Sequence, residues 1–219
     1  TRGIPVTEDN FYNSFHVLAY WKKNGTPVKE QFYMDADVTK RGNNLWSSDR
    51  VYYWPGAEHT LQFYAWAPAS GAFETIPTTP ENTKLTYTVP SDAADQKDIV
   101  VASPKETPGD HNAAQSLTFN HICTAVRFVT GSQMQPGTIK SVALKGVQYK
   151  GTYDLENGKW TLNDDANDFT QSLDKEMSGN ETDGTEVTAG EGTFMMLPQT
   201  LPDKAKVEVV FHSTVTNTD

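Results

Sequence analysis

Five histidines, one cysteine and a surplus of carboxylates are the side chains that could carry chemistry, and their spacing argues against most of it. His16, His59, His111, His121 and His212 are scattered, with no H-E-x-x-H pair or other ligand spacing, so no metal is expected. Cys123 stands alone, which rules out a disulfide or a thiolate zinc site within the chain. No helix start or basic neighbour would lower its thiol pKa, and a small core residue is the expected role. Ser132, in Gly131-Ser132-Gln133, lacks the flanks of a nucleophile elbow. His121 follows Leu117-Thr118-Phe119-Asn120 and precedes Ile122-Cys123, the setting of a buried or half-buried histidine that fixes a turn.

A pair of carboxylates about 5 to 9 Å apart, as in glycosidases, can assemble without leaving any trace in sequence spacing. A carboxylate-dependent hydrolase therefore stays open as the weakest alternative. Asp164-Asp165-Ala166-Asn167-Asp168 has the composition of a calcium loop but not its later glycine and glutamate, so a solvated loop is expected. Trp46, Tyr52, Tyr53, Trp54 and Trp66 crowd one stretch. Alternating aromatics in strands normally fill a sandwich core, whereas exposed ones stack on sugar rings. Trp46, Tyr52 and Tyr53 are the candidate ligand-facing aromatics, and no cofactor is expected.

The elements that must position these residues are strands. Composition sets the frame: 28 acidic against 18 basic side chains give 18 − 28 = −10 over 219 residues. That charge repels a phosphate backbone and an anionic membrane face, so nucleic acid is excluded as a partner. The length suits one large β domain or two ordinary ones. No run approaches the roughly 18 apolar residues that span a bilayer. Thr1-Arg2-Gly3-Ile4-Pro5 contains no apolar signal core, so any export signal or lipid-bearing cysteine is expected upstream of this chain.

Short runs rich in aromatic and β-branched residues, separated by Gly, Pro, Asn and Asp, predict strands over 15–21, 31–36, 51–54, 61–66, 85–89 and 99–102. A second set is predicted over 117–121, 125–130, 139–145, 148–154, 159–162, 194–197 and 206–211. Alternation in Leu61 to Trp66 and Val207 to Phe211 predicts one buried and one wet face. Asn24-Gly25, Lys145-Gly146 and Asn157-Gly158 signal tight turns, the last as a type I′ hairpin between Tyr153 and Trp160. One helical turn is expected near Asp92 to Lys97, capped by Ser91. Residues 154–191 hold 11 acidic and 2 basic side chains, a charge of 2 − 11 = −9, and predict a long acidic loop over about 163–192.

The order of these motifs resembles that of Bacteroidetes fimbrillin-like proteins. Thr1-Arg2-Gly3, Phe15 to Tyr20, Tyr52-Tyr53-Trp54-Pro55-Gly56 and Leu61 to Pro68 are similar to the family's N-terminal domain. Asp98-Ile99-Val100-Val101-Ala102, the Phe119-Asn120-His121 segment and Phe194-Met195-Met196-Leu197-Pro198-Gln199 continue the likeness over the whole chain. The family's closing tryptophan-x-x-glycine-lysine-x-tyrosine strand is not found after Phe211, so the second sandwich is expected to be trimmed or short of a strand.

The resemblance implies two tandem transthyretin-like, Ig-like antiparallel β-sandwiches, here divided as 1–122 and 123–219. It also implies export as a lipoprotein and a place in fimbriae on the outer membrane. Other fimbrial subunits would be the partners, joined head to tail by strand exchange, with a host protein or glycan as a further one. Arg2 is the residue that matches the family's processing arginine. A sandwich short of a strand leaves unpaired N–H and C=O groups beside an apolar groove, which a neighbour's strand fills. The expected function is a non-enzymatic structural or adhesive fimbrial subunit; a monomeric glycan-binding surface lipoprotein is the alternative.

Overall fold

A computed structural model describes residues 4–42, 45–188 and 192–215. Among them, the first strands are β1 (Ser14–Lys23), β2 (Thr26–Pro27), β3 (Met34–Lys40), β4 (Trp46–Ser48), β5 (His59–Ala67), β6 (Lys84–Thr88), β7 (Val100–Ala102), β8 (Thr107–Pro108) and β9 (Asn120–His121). They are followed by β10 (Thr124–Val126), β11 (Gly137–Gln148), β12 (Lys150–Asp154), β13 (Lys159–Leu162), β14 (Ala166–Met177), β15 (Phe194–Met196) and β16 (Lys206–Ser213). All pairings between them are antiparallel. The all-β sandwich expected from the aromatic and β-branched runs is thus present.

The largest sheet has the order β4-β3-β1-β5-β7-β9, with β2 and β8 attached to β1 and β5. Its two central strands are apolar on both faces. Phe15, Val17 and Ala19 of β1 and Leu61, Phe63 and Ala65 of β5 fill one core, while Leu18, Tyr64 and Trp66 fill another on the opposite side. Leu61 to Trp66 therefore has no wet face, contrary to the alternation reading; only Gln62 interrupts an apolar run, as strands covered on both sides require.

Three smaller sheets, β10-β15, β14-β11-β16 and β13-β12-β6, complete the layers. β6 precedes residue 122 and β12 follows it, yet they pair from Lys84↔Asp154 to Thr88↔Lys150. Leu85 and Tyr87 of β6 share a core with Val142, Phe169 and Phe194. The parts of the chain on either side of residue 122 are therefore joined by a common ladder and a common core.

Local chemistry departs from the sequence expectations at several further places. Residues 166–177, expected within a loop, form β14: Asn167, Phe169, Gln171 and Leu173 alternate inward, but two of the four are polar, which hides the period. Lys145-Gly146 is a bulge inside β11, where Gly146 has φ +66° and its N–H donates to Asp168 Oδ1 at 2.9 Å. Tyr153 and Trp160 do face each other in a hairpin, but four residues connect it, and only Gly158 has positive φ. The two-residue turn with positive φ at both positions is Asn24-Gly25. The helical turn Ala93–Asp95 is capped by Asp92, whose side chain accepts from Ala94 N–H, and not by Ser91.

Candidate functional site

The sheet β14-β11-β16 has two edges of different character. β14 carries Asp168, Asp174, Lys175 and Glu176, and its inward Phe169 and Met177 are buried. Charges of this kind protect an edge from further pairing. On β16, Val209 lies opposite Val142 and Val207 opposite Leu144, so both project from the core face. They are nevertheless 49% and 55% exposed. The facing layer does not reach them, and among the described residues no strand pairs with the outer side of β16.

Beside this edge lies an apolar groove of about 190 Å³. Phe128, Met134, Ile139, Val187, Val209 and Phe211 line it. Its far wall is held by Thr130 N–H donating to Thr185 O at 2.8 Å and Val187 N–H to Phe128 O at 2.9 Å. Gly137 lets the end of β16 close in, since a Cβ there would lie 2.4 Å from His212 O and from the Phe211 ring. Open ladder groups, uncovered apolar side chains and an adjoining groove are what a further strand needs. The residues that build this edge were visible as the run Val207-Glu208-Val209-Val210-Phe211; what covers them depends on the opposite layer and has no sequence signal.

The other candidates are dispersed. Arg2 lies outside the described residues. Trp46 is half-buried, with its ring 5.6 Å from Phe11 and 5.1 Å from Phe15. Tyr52 lies under the guanidinium of Arg50 at 5.1 Å, and Tyr53 is 79% exposed. His16 Nδ1 meets Asp37 Oδ1 at 2.7 Å and Nε2 meets Asp35 Oδ1 at 3.1 Å, His59 stacks on Trp21, and His111 meets the edge of Trp54. His121 Nδ1 approaches Asp98 Oδ2 at 2.7 Å. Among the described residues, no group of three or more His, Cys, Asp or Glu is placed to hold a metal ion.

Burial governs the ionisable groups inside. It pushes the Cys123 thiol up to about 12, the reverse of a nucleophile, and the Tyr64 hydroxyl up to about 12. A cleft of about 370 Å³ beside Tyr64 contains Glu81, Glu106 and Glu156. Hydrogen bonds from Lys29 and Lys22 lower the carboxyls of Glu81 and Glu106 respectively. Both move in the same direction, whereas a general acid beside a base needs opposed shifts.

An antiparallel β-sandwich with an uncovered core-facing edge at β16 is the class of protein that this geometry defines. The description "Fimbrillin-like" belongs to the family model that matches residues 6–218. The chain belongs to the fimbrillin-like family. Its fold is similar to that of a candidate cell adhesion protein of Bacteroides ovatus, with 15% identity and a TM-score of 0.60 over 94% of this chain and 79% of that one. A fimbrial protein of Bacteroides vulgatus matches with 14% identity and a TM-score of 0.53, over 91% and 70% of the two chains. A candidate cell adhesion protein of Bacteroides uniformis gives 14% and 0.53, over 94% and 76%. No curated protein matches the chain.

Proposed function

We propose that this chain is a structural or adhesive subunit of cell-surface fimbriae, and that it assembles when a strand of a neighbouring subunit pairs with the open edge of β16. The single observation behind this reading is the exposure of Val207 and Val209 on the core face of an unpaired edge. Family membership, and neighbours described as fimbrial and cell adhesion proteins, point the same way.

Magnitudes decide what the donor must bring. Covering two half-exposed valines stabilises by roughly 1 kcal/mol each. Ladder hydrogen bonds add about 0.5–1.5 kcal/mol apiece. Association costs about 4–15 kcal/mol, so the receiving edge alone does not suffice. The donor strand therefore has to place apolar side chains at alternate positions into the groove at Phe128 and Met134. A head-to-tail contact of this type does not close on itself and builds a filament.

Within this reading the chain has no catalytic role, and other fimbrial subunits are its partners. It reaches the cell surface through a lipid anchor upstream of this sequence, with Arg2 as a processing point. The division into sandwiches at 1–122 and 123–219 belongs to the same proposal, with β6 as the strand that ties them together.

The test is electron microscopy of the purified protein after limited trypsin treatment, in parallel with a Val207→Lys, Val209→Lys variant. Filaments from the wild type and none from the variant are expected, with both proteins folded by circular dichroism. Equal filaments from the variant, or none from the wild type, overturn the proposal.

A further inference from the structure

A second opening lies on the largest sheet, away from β16. Residues 51–54, expected as a strand, are irregular and run beside β3 and residues 113–115, enclosing a cleft of about 430 Å³. That volume lies within the ~300–1,000 Å³ range of small-ligand sites. Its mouth is aromatic, and among the described residues Tyr53 is the one aromatic side chain in the class of exposed large hydrophobics.

The aromatic rims are fixed in place. Tyr33 donates its hydroxyl to Tyr53 O, Trp54 Nε1 donates to Ala113 O at 3.1 Å, and the Tyr52 hydroxyl donates to Asp35 O at 3.4 Å. With their polar tips engaged by backbone, Tyr33, Trp54 and Tyr52 turn ring surface toward the cleft. A platform held this way loses little side-chain entropy when a ligand stacks on it.

Arg50 adds a charge that has no carboxylate partner among the described residues. Its neighbour Asp49 is engaged by Arg41, and Arg127 is paired with Glu186. Arg50 sits over the Tyr52 ring, and among the described residues no side chain takes its donors, in a chain whose net charge is −10. An unpaired guanidinium at a rigid aromatic cleft suits a planar carboxylate joined to a pyranose ring, since the fork takes the acid in two parallel bonds while the rings stack on the sugar. A free acyl chain would need a closed tunnel, and this cleft is open to solvent.

We propose that this cleft binds a carboxylate-bearing saccharide, with Arg50 taking the carboxylate and Tyr53 stacking on the ring. The idea does not rest on assembly at β16, which the filament experiment tests separately.

Saturation-transfer NMR and titrations with glucuronic acid, N-acetylneuraminic acid and glucose test it on the intact protein. An acidic sugar is expected to bind; which of the two does so identifies the uronate or sialate class. Arg50→Gln should weaken acidic-sugar binding by about tenfold or more. Tyr53→Ala should weaken it by up to about tenfold. Both side chains are exposed, so melting temperatures should stay within about 2 °C of wild type. No transfer to either acid, glucose binding as well as the acids do, or acid binding unchanged in both variants overturns the proposal.

Discussion

The carboxylate of Asp98, 2% exposed, and the half-exposed ring of His121 meet with Oδ2 and Nδ1 2.7 Å apart. The same oxygen accepts the backbone N–H of Val6 at 2.7 Å, and the Asp98 carbonyl accepts the Tyr12 hydroxyl at 2.9 Å. Asp98 thereby ties the N-terminal segment to the end of β9. His121 contributes from outside, where water competes for its ring; Val6 has no such alternative.

Asp98→Ala should therefore cost about 2–3 kcal/mol, because it leaves the buried Val6 N–H without an acceptor. His121→Ala should cost less, about 1–2 kcal/mol, because the buried Asp98 carboxylate loses its imidazole partner but keeps the Val6 N–H, and water can reach the half-exposed position the ring vacates. Urea denaturation of the two variants checks the ranking. Equal losses would mean that the ion pair, and not the Val6 hydrogen bond, holds this corner.

Tyr87 is 2% exposed, and its hydroxyl has no hydrogen-bond partner among the described residues. Removing an unsatisfied buried hydroxyl while keeping the ring in place lifts a desolvation penalty. Tyr87→Phe is expected to leave stability unchanged or raise it by up to about 1 kcal/mol at neutral pH. Burial also pushes the Tyr87 hydroxyl well above the ordinary tyrosine range. Its raised folded-state pKa contributes stability that is intact below about pH 10 and falls as the unfolded chain ionises, by about 1.4 kcal/mol per pH unit above that. The advantage of Tyr87→Phe over wild type should thus widen between pH 9 and pH 11, about one unit either side of the tyrosine midpoint, in urea titrations. Tyr20 and Tyr64, also raised by burial, keep some alkaline sensitivity in the variant.

Gly137 faces Ser213 across the β11–β16 ladder, with the backbone of His212 and the ring of Phe211 in the space a methyl would occupy. Gly137→Ala must push this end of β16 outward, at a cost of about 1–3 kcal/mol in overpacking. Hydrogen exchange should report faster loss of protection over residues 206–213. Protection in β1 and β5, which touch neither residue, should be unchanged.

Much of this arrangement was legible in the sequence, and what was hidden has physical reasons. β1, β5 and β11 announce themselves because their inward positions are mostly apolar, with His16 and Gln62 among the few interruptions. β14 does not, since Asn167 and Gln171 occupy inward positions between Phe169 and Leu173. The run Val51-Tyr52-Tyr53-Trp54 has strand composition, yet the rings of Tyr52 and Trp54 are anchored to carbonyls of β3 and residue 113, and it joins no ladder. Asp98 and His121 each stood out as motif residues, but only the pairing of β7 with β9 brings them together. Val207 and Val209 were readable as core-facing; that nothing covers them is a property of the facing layer.

The two faces of β16 offer the sharpest test of how this edge works. Val209 lies across from the buried Val142 on the core face, whereas Val210, 48% exposed, lies across from the partly exposed Ser141 beyond the bulge at Lys140. A strand added to β16 would place side chains over Val209 but none in the layer beyond Val210. A lysine at position 209 would have to take its ammonium under the incoming strand, losing hydration with no acid in the groove to receive it. At position 210 the ammonium stays in water and the ladder groups stay available. Val209→Lys should abolish filaments in electron micrographs, while Val210→Lys should retain them, with both variants close to wild type in stability. Loss of filaments in both variants would point to contacts across the outer face, and loss in Val210→Lys alone would reverse the assignment of the receiving surface.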